Sequence, residues 1–254
     1  MLLRDKSIII TGATKGIGRA LAVAAGKAGA WLVLSGRNET EGRELEAEIG
    51  SGPGKAVFVK GDLTDVDCCA ELAHIAVERY GKLDGLVNYA GTGQANTPFP
   101  DVDEEEFDWI MDVNFKSAFF TTQAAVKAMA GKGGSIVFMG SLHAYGGEID
   151  RPAYACSKGA MYTLFRHMAK NYPRHMIRSN WVTIGWVATP GEKEFRANNG
   201  KDGGWLDETG RGIMPMGRLQ KEDDYVDGVL YLLSDGAAQT TGSELFIAGG
   251  LTLH

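Results

Sequence analysis

The sequence is poor in cysteine and proline and has no long apolar run. Its 254 residues include three cysteines and seven prolines. Cys68 and Cys69 are adjacent and Cys156 stands apart, so no spacing resembles a metal site, and the odd number argues against a disulfide framework. We therefore expect reduced thiols, no bound metal and a cytoplasmic location. No stretch reaches the roughly 18 apolar residues of a membrane span, and we expect no signal peptide.

The sequence also lacks an excess of positive charge. Lys and Arg number 26 against 32 Asp and Glu, which gives a formal net charge of −6. A protein that holds nucleic acid or an anionic membrane by bulk charge needs the opposite balance. We therefore expect a small-molecule substrate as the partner, and neither nucleic acid nor membrane.

Short β-branched runs alternate along the chain with longer segments of helical periodicity. We predict strands at residues 7–11, 31–35, 56–60, 83–88, 135–139, 178–182 and 244–247, and helices at 17–28, 40–49, 66–80, 103–130, 153–172 and 222–233. This alternation predicts an α/β protein with a parallel sheet of about seven strands, covered by helices on both faces. No linker divides residues 1–254, which indicates a single domain. The segment 190–215, rich in Gly, Asn and charge, is predicted to be irregular and to act as a lid.

A glycine-rich turn follows the first predicted strand and opens the first predicted helix. Gly12, Gly16 and Gly18 lie in the run TGATKGIG. Glycines at such a junction let a pyrophosphate approach the helix N-terminus, where free N–H groups and the helix dipole stabilise negative charge. An ordinary glycine-rich turn is the alternative, but the position at the first strand–helix junction favours a dinucleotide.

Further motifs follow in order along the chain. They are the run NYAG at 88–91, Asn114, Ser141, and the run YACSK that begins at Tyr154 and ends at Lys158. Together with the G-x-x-x-G-x-G spacing, this order resembles the short-chain dehydrogenase/reductase family over residues 6–250. The resemblance implies a Rossmann-type doubly wound fold and an NAD(P)-dependent alcohol dehydrogenase or carbonyl reductase, whose one domain binds the dinucleotide and performs catalysis. Tyr89, Ile184 and Ala248 depart from the Asn, Pro and Asp that are usual in the family.

Tyr154 and Lys158 are four residues apart on a predicted helix, so they share one face. A tyrosine alone holds its proton too tightly at neutral pH, but a neighbouring ammonium favours the phenolate. Tyr154 is therefore a candidate acid or base for a ketone or an alcohol. By resemblance, Lys158 also holds the nicotinamide ribose, Ser141 binds the reacting carbonyl oxygen, and Asn114 holds a water in the proton relay. Taken singly, each residue has an ordinary structural explanation, and only the joint pattern favours catalysis.

The resemblance assigns the dinucleotide site to the glycine-rich run, the ends of later strands and the segment after the sixth strand. The residues are Gly12, Thr14, Lys15, Gly16, Ile17, Gly18, Arg37, Asp62, Leu63, Asn88, Ala90, Gly91, Tyr154, Lys158, Gly185, Val187 and Thr189. Gly36 stands where NAD-preferring members usually carry an acidic residue, and Arg37 and Lys15 supply two cations suited to a 2′-phosphate. We therefore predict NADP(H). NAD is the alternative if Arg37 only stacks on adenine.

The substrate is indicated only by the polarity of the predicted pocket. The candidate substrate-binding residues are Ser141, His143, Tyr154 and Trp186, with Tyr145, Glu148, Arg151, Glu192 and Trp205 nearby. A sugar, polyol or keto-sugar acid fits that polarity. A 3-oxoacyl-thioester reductase is the alternative enzyme, although its acidic carrier protein would need a basic patch and the stretch 127–132 has only two lysines. A non-catalytic dinucleotide sensor or scaffold is the alternative of another class. The resemblance also implies a homotetramer, with a dimer as the alternative.

Overall fold

The fold is built on one parallel sheet. The computed structural model describes residues 1–93, 96–147, 149–201 and 203–251. Within them the strands are β1 (Ser7–Ile10), β2 (Trp31–Gly36), β3 (Lys55–Lys60), β4 (Gly85–Asn88), β5 (Gly134–Met139), β6 (Ile177–Ile184) and β7 (Glu244–Ile247). Their order across the sheet is β3-β2-β1-β4-β5-β6-β7, and every neighbouring pair is parallel. This confirms the predicted doubly wound α/β architecture.

Helices connect the strands and cover both faces of the sheet. They are α1 (Gly16–Lys27), α2 (Glu39–Gly50), α3 (Val66–Tyr80), α4 (Glu104–Met111), α5 (Ser117–Met129), α6 (Pro152–Asn171), α7 (Pro190–Asn198), α8 (Trp205–Ile213) and α9 (Val226–Leu233). In the described part of the chain, no helix is both long and apolar enough to cross a membrane.

The core lies on both sides of the sheet because side chains alternate along each strand. Ile8 and Ile10 of β1 pack into one apolar cluster, which includes Leu21 of α1 and Val229 of α9. Ile9, between them, packs into the opposite cluster with residues of α3, α5 and α6. Strands buried on both faces read as continuous apolar runs, as the sequence of β1 does.

The strand order reverses between β1 and β4, and this reversal opens a crevice at their carboxyl ends. Thr11 fixes the two chain segments that leave these strands. Its Oγ1 accepts hydrogen bonds from the backbone N–H groups of Tyr89 and Ala90, each at 3.0 Å. The glycine-rich run and the NYAG run are therefore held side by side.

Two helical predictions need correction. The segment 190–215 is not irregular, because it contains α7 and α8. Thr189 starts α7 by accepting a hydrogen bond from the Glu192 N–H at 3.1 Å, and Pro190 takes the first helical position. The helix predicted at 103–130 is interrupted, because a π-helical turn at Asp112–Lys116 separates α4 from α5.

Candidate active site

A cavity of about 910 Å³ opens at the carboxyl ends of the central strands. Most of the predicted site residues line it: Gly12, Thr14, Lys15, Gly16, Ile17, Arg37, Asp62, Leu63, Ala90, Gly91, Ser141, Tyr154, Lys158, Gly185, Trp186, Val187 and Thr189. Four predicted residues do not line it: Gly18, Asn88, Asn114 and His143.

The glycine-rich loop forms one wall of the cavity. Gly12 and Gly16 have φ values of +66° and +54°, in the left-handed region that favours glycine. Gly18 is needed for packing, since a Cβ there would lie 2.3 Å from the Gly12 carbonyl oxygen. The loop leads into α1, whose first two residues, Gly16 and Ile17, line the cavity. This cradle fits a pyrophosphate.

The segment after β6 offers backbone groups to the other end of a dinucleotide. Ala188 donates its N–H to the Gln220 carbonyl at 2.9 Å, and Gln220 donates its N–H to the Trp186 carbonyl at 3.0 Å. In this parallel bridge, the N–H and C=O of Val187 point away from Gln220. Val187 lines the cavity, so these groups suit a carboxamide, which needs one acceptor and one donor.

Ser141 follows β5 at a tightly packed turn. A Cβ on Gly140 would lie 1.8 Å from Cζ2 of the fully buried Trp181, so only glycine fits there. The Ser141 Oγ accepts a hydrogen bond from the His143 N–H at 3.2 Å. Ser141 lines the cavity, and a hydroxyl that accepts one hydrogen bond still has its own O–H to donate.

Tyr154 and Lys158 lie one turn apart near the start of α6. Lys158 is only 5% exposed, and its Nζ is 5.6 Å from the centre of the Tyr154 ring. The His143 ring meets the Tyr154 ring edge-on, with 5.5 Å between their centres. His143 therefore packs against Tyr154 and does not line the cavity.

Asn114 sits in the π-helical turn, fully buried behind the cavity wall. Its Oδ1 accepts a hydrogen bond from the Thr92 N–H at 2.7 Å, and its Nδ2 donates to the Thr92 carbonyl at 3.0 Å and to the Ser157 Oγ at 3.0 Å. The side-chain amide is thus fully engaged in holding the chain after the NYAG run.

Asn88 has a similar structural contact. It is 3% exposed, and its Nδ2 donates to the Thr122 Oγ1 on α5 at 2.9 Å. The side chain therefore ties β4 to α5 and does not reach the cavity. Asp62 does line the cavity, and its Oδ1 accepts from both the N–H and the Oγ1 of Thr64, which fixes the turn after β3.

Charged groups surround the far end of the cavity, near the end of β2. The Lys15 Nζ is 3.2 Å from the Glu41 Oε1, and the Arg37 guanidinium lies 5.8 Å from the ring centre of Trp109. A Cβ on Gly36 would lie 2.8 Å from the Thr14 Cγ2, so an acidic side chain does not fit there without a shift. Glu41 is a lining residue that the sequence reasoning missed, although it lies in the first turn of α2, four residues after Arg37.

The opposite end of the cavity is bordered by Trp186 and Glu192. The Trp186 Nε1 donates to the Glu192 Oε1 at 2.9 Å, and the Arg196 Nε donates to the same oxygen at 2.8 Å. The Arg196 guanidinium lies 5.2 Å from the Trp186 ring centre and 5.3 Å from that of Trp205. The segment from β6 to α8 is therefore tied together beside this end of the cavity.

Three other substrate candidates, Tyr145, Arg151 and Trp205, do not line the cavity, and one cannot be placed. The Tyr145 hydroxyl bonds to Thr183 and Glu244 at 2.9 and 2.8 Å, and burial raises the pKa of Tyr145. Arg151 donates to the Asn96 Oδ1 at 3.3 Å, and neither residue lines the cavity. Glu148 lies outside the described residues.

Comparison with known proteins identifies the family. Residues 12–252 match the family model described as enoyl-(acyl carrier protein) reductase. The chain is 35% identical to an L-rhamnose 1-dehydrogenase (NAD(P)(+)) from Azotobacter vinelandii, over 100% of this chain and 99% of that protein. The chain belongs to the short-chain dehydrogenase/reductase family. This short-chain dehydrogenase/reductase is also 33% identical to a 3beta-hydroxysteroid dehydrogenase from Mediterraneibacter gnavus, over 98% of this chain and 96% of that protein.

A solved structure agrees with the assignment. This short-chain dehydrogenase/reductase superposes on the crystal structure of a short-chain type dehydrogenase/reductase from Mycobacterium marinum with a TM-score of 0.90. The two are 30% identical, and the match covers 99% of this chain and 97% of that one. The protein is an NAD(P)-dependent alcohol dehydrogenase or carbonyl reductase. The enzyme interpretation therefore replaces the non-catalytic sensor that the sequence left open.

Proposed function

We propose that this enzyme oxidises a hydroxyl group of a sugar or another hydroxyl-rich small molecule, or reduces the matching carbonyl, with NADP(H) as the cofactor. One observation carries the proposal. The glycine-rich loop and the side chains of Ser141, Tyr154 and Lys158 line the same cavity. A proton and a hydride can therefore be exchanged with neighbouring atoms of one substrate.

In the oxidation direction, Tyr154 takes the proton of the substrate hydroxyl at its phenol oxygen. A nicotinamide held by Lys158, Val187 and Thr189 would supply the hydride acceptor for the adjoining carbon. The buried Lys158 ammonium places a positive charge beside the Tyr154 ring, where negative charge develops as the proton moves. Ser141 donates its O–H to the substrate oxygen, where negative charge develops. In the reduction direction, Tyr154 returns the proton to the carbonyl oxygen.

The cofactor-binding roles are divided along the cavity. Gly16 and Ile17 bind the pyrophosphate through the N-terminus of α1. Asp62 and Leu63 border the adenine, Lys158 holds the nicotinamide ribose, and the backbone of Val187 with the Thr189 hydroxyl holds the carboxamide. Gly18 and Asn88 support this site through packing and through the bond to Thr122.

Asn114 takes part in the relay through its backbone, because its side-chain amide is already bonded to Thr92 and Ser157. A π-helical turn disturbs the regular pairing of carbonyl groups, so a backbone carbonyl there can bind a water. We therefore assign the water-holding role to the Asn114 main chain.

NADP(H) is proposed as the preferred nicotinamide. Arg37 is exposed at the end of β2 and Lys15 lies in the glycine-rich loop, so both can approach a 2′-phosphate. Glu41 opposes them, since it forms an ion pair with Lys15. The preference for NADP over NAD is therefore set by the balance of these three charges.

The proposed substrate class rests on the cavity end and on one relative. Trp186 offers an apolar ring face and Glu192 offers acceptor oxygens, a combination that suits a ring with both C–H and O–H groups. The relative from Azotobacter vinelandii is an L-rhamnose 1-dehydrogenase. We further propose that residues 1–254 form one domain, that α7 and α8 act as the lid, and that the enzyme is a cytoplasmic homotetramer or dimer.

A substrate panel tests the proposal. Purified enzyme is given aldoses including L-rhamnose, polyols, a hydroxysteroid and a 3-oxoacyl thioester, and the absorbance of NADPH and NADH is followed. We expect the highest kcat/KM with a sugar or polyol, and Tyr154→Phe identifies any turnover due to contaminants. A clear preference for the thioester or the steroid would contradict the proposed substrate class.

A further inference from the structure

Tyr89 stands where the family pattern has its second asparagine, and its ring follows the glycine-rich loop. A Cβ placed on Gly18 would lie 2.7 Å from the Tyr89 Cδ1, and one placed on Gly12 would lie 3.4 Å from the same atom. A Cβ on Gly16 would lie 3.1 Å from the Tyr89 hydroxyl oxygen. The ring therefore extends from Gly12 and Gly18 at its Cδ1 edge to Gly16 at its hydroxyl.

The Tyr89 hydroxyl lies at the point where two helices begin. Gly16 is the first residue of α1, and the position of a Cβ on Gly16 is also 3.7 Å from the Cγ2 of Thr189, the residue that caps α7. Tyr89, Gly16, Ile17 and Thr189 all line the cavity. The hydroxyl is thus beside the helix N-terminus that forms the pyrophosphate cradle.

The chemistry of this hydroxyl suits an anionic ligand. Burial raises the pKa of Tyr89 to about 12, against the opposing effect of a hydrogen bond from the Ile17 backbone N–H. The group is therefore neutral at physiological pH. A neutral phenol that accepts from one N–H still has its own O–H to donate.

We propose that the Tyr89 hydroxyl donates a hydrogen bond to the pyrophosphate of the bound dinucleotide. The Gly16 N–H at the start of α1 and this O–H then converge on the same phosphate oxygens, while the Ile17 N–H is donated to the Tyr89 hydroxyl oxygen. An asparagine at position 89 would end at the level of the tyrosine Cδ1, beside Gly12 and Gly18, and would not reach Gly16. Tyr89 adds a phosphate contact that the asparagine cannot make, whichever substrate the enzyme uses.

Binding measurements with Tyr89→Phe test the role. Phenylalanine keeps the ring against Gly12 and Gly18 and removes only the hydroxyl. Isothermal titration calorimetry with NADPH and with ADP-ribose, which has the pyrophosphate but no nicotinamide, should give a Kd about tenfold higher for the variant. Adenosine, which has no phosphate, should bind the variant and the wild-type protein equally.

Tyr80→Phe is the matched control. It also loses one hydroxyl hydrogen bond, from Tyr80 to the Leu32 carbonyl at 3.2 Å, but Tyr80 does not line the cavity. We expect this variant to keep the wild-type Kd for ADP-ribose. An unchanged Kd in Tyr89→Phe would show that Tyr89 only packs against the loop, and a lower Kd would show that its hydroxyl competes with the phosphate. Either result overturns the proposal.

Discussion

Lys15, Arg37 and Glu41 lie close together where the 2′ position of an adenosine ribose is proposed to bind. Lys15 is paired with Glu41 at 3.2 Å, whereas Arg37 lies against the Trp109 ring. The pairing weakens the attraction of Lys15 for a phosphate, since the carboxylate repels the same ligand. Arg37 is thus the main cation available to a 2′-phosphate.

Two substitutions therefore shift the cofactor preference in opposite directions. Arg37→Ala should lower the ratio of kcat/KM for NADP to that for NAD by about 10- to 100-fold, because a charge-assisted hydrogen bond is lost. Glu41→Gln should raise the ratio by about threefold, because it removes a half-buried repulsive charge that lines the cavity.

Arg166→Ala is the control for both substitutions. Arg166 forms an ion pair with Glu244 and does not line the cavity. The control substitution should leave the cofactor ratio unchanged. Clear NAD preference in the wild-type enzyme, or an unchanged ratio in Arg37→Ala, would contradict the 2′-phosphate assignment.

The sequence predicts individual residues well where spacing decides their position. Tyr154 and Lys158 share a helix face, and both line the cavity as expected. Asn88 and His143 were predicted to bind cofactor and substrate, but they do not line the cavity, because the direction of a side chain at a strand end depends on its neighbours. Thr122 and Tyr154, their respective partners, are distant in sequence.

At the scale of elements, a short turn supports the end of the cavity where the nicotinamide is proposed to bind. Arg218 forms two hydrogen bonds with the Asp224 carboxylate, at 2.7 and 2.8 Å, and the Lys221 N–H donates to the same carboxylate at 2.8 Å. These bonds enclose Gln220, which pairs with the chain around Val187. The hydrogen bond with Arg218 is the main cause that lowers the pKa of Asp224 below its usual 3.8.

This lowered pKa predicts the pH range of the stabilisation. A carboxyl with a lower pKa in the folded state stabilises the fold above its unfolded pKa, and loses this effect as the pH falls through the folded value. Asp224→Asn should therefore lower Tm by a few degrees at pH 7, and the difference from wild type should disappear as the pH falls below about 4. Thermal unfolding monitored by circular dichroism measures the Tm of the variant and of the wild type at each pH. Equal Tm values at pH 7, or a difference that persists at low pH, would contradict this account.

Elements with regular patterns were predicted closely, and β7 has the predicted limits. The region 190–215 was predicted wrongly because its glycines and asparagines hid a helix start that Thr189 and Pro190 provide. The π-helical turn was not predicted because it depends on the distant contacts of Asn114 with Thr92 and Ser157.

At the scale of the whole molecule, periodicity predicts a parallel sheet but does not give the order of its strands. The doubly wound arrangement came from the resemblance to the family. In the structure, the strand order reverses between β1 and β4, and this reversal brings the glycine-rich loop to the cavity. The edge strand β7 leaves Phe246 50% exposed, and Tyr145 stacks on its ring. This apolar edge supports the proposed assembly of several copies of the chain. Light scattering measures the mass in solution, and the mass of a monomer would contradict the proposed assembly.

The central claim is that Tyr154, beside Lys158, moves the proton on a substrate held next to the dinucleotide. The direct test is kcat/KM of Tyr154→Phe together with the Kd of NADPH, with Tyr145→Phe as the control tyrosine outside the cavity. The account predicts that kcat/KM falls by about 10²- to 10⁴-fold in Tyr154→Phe while the Kd stays close to wild type. Wild-type turnover in Tyr154→Phe would contradict the account.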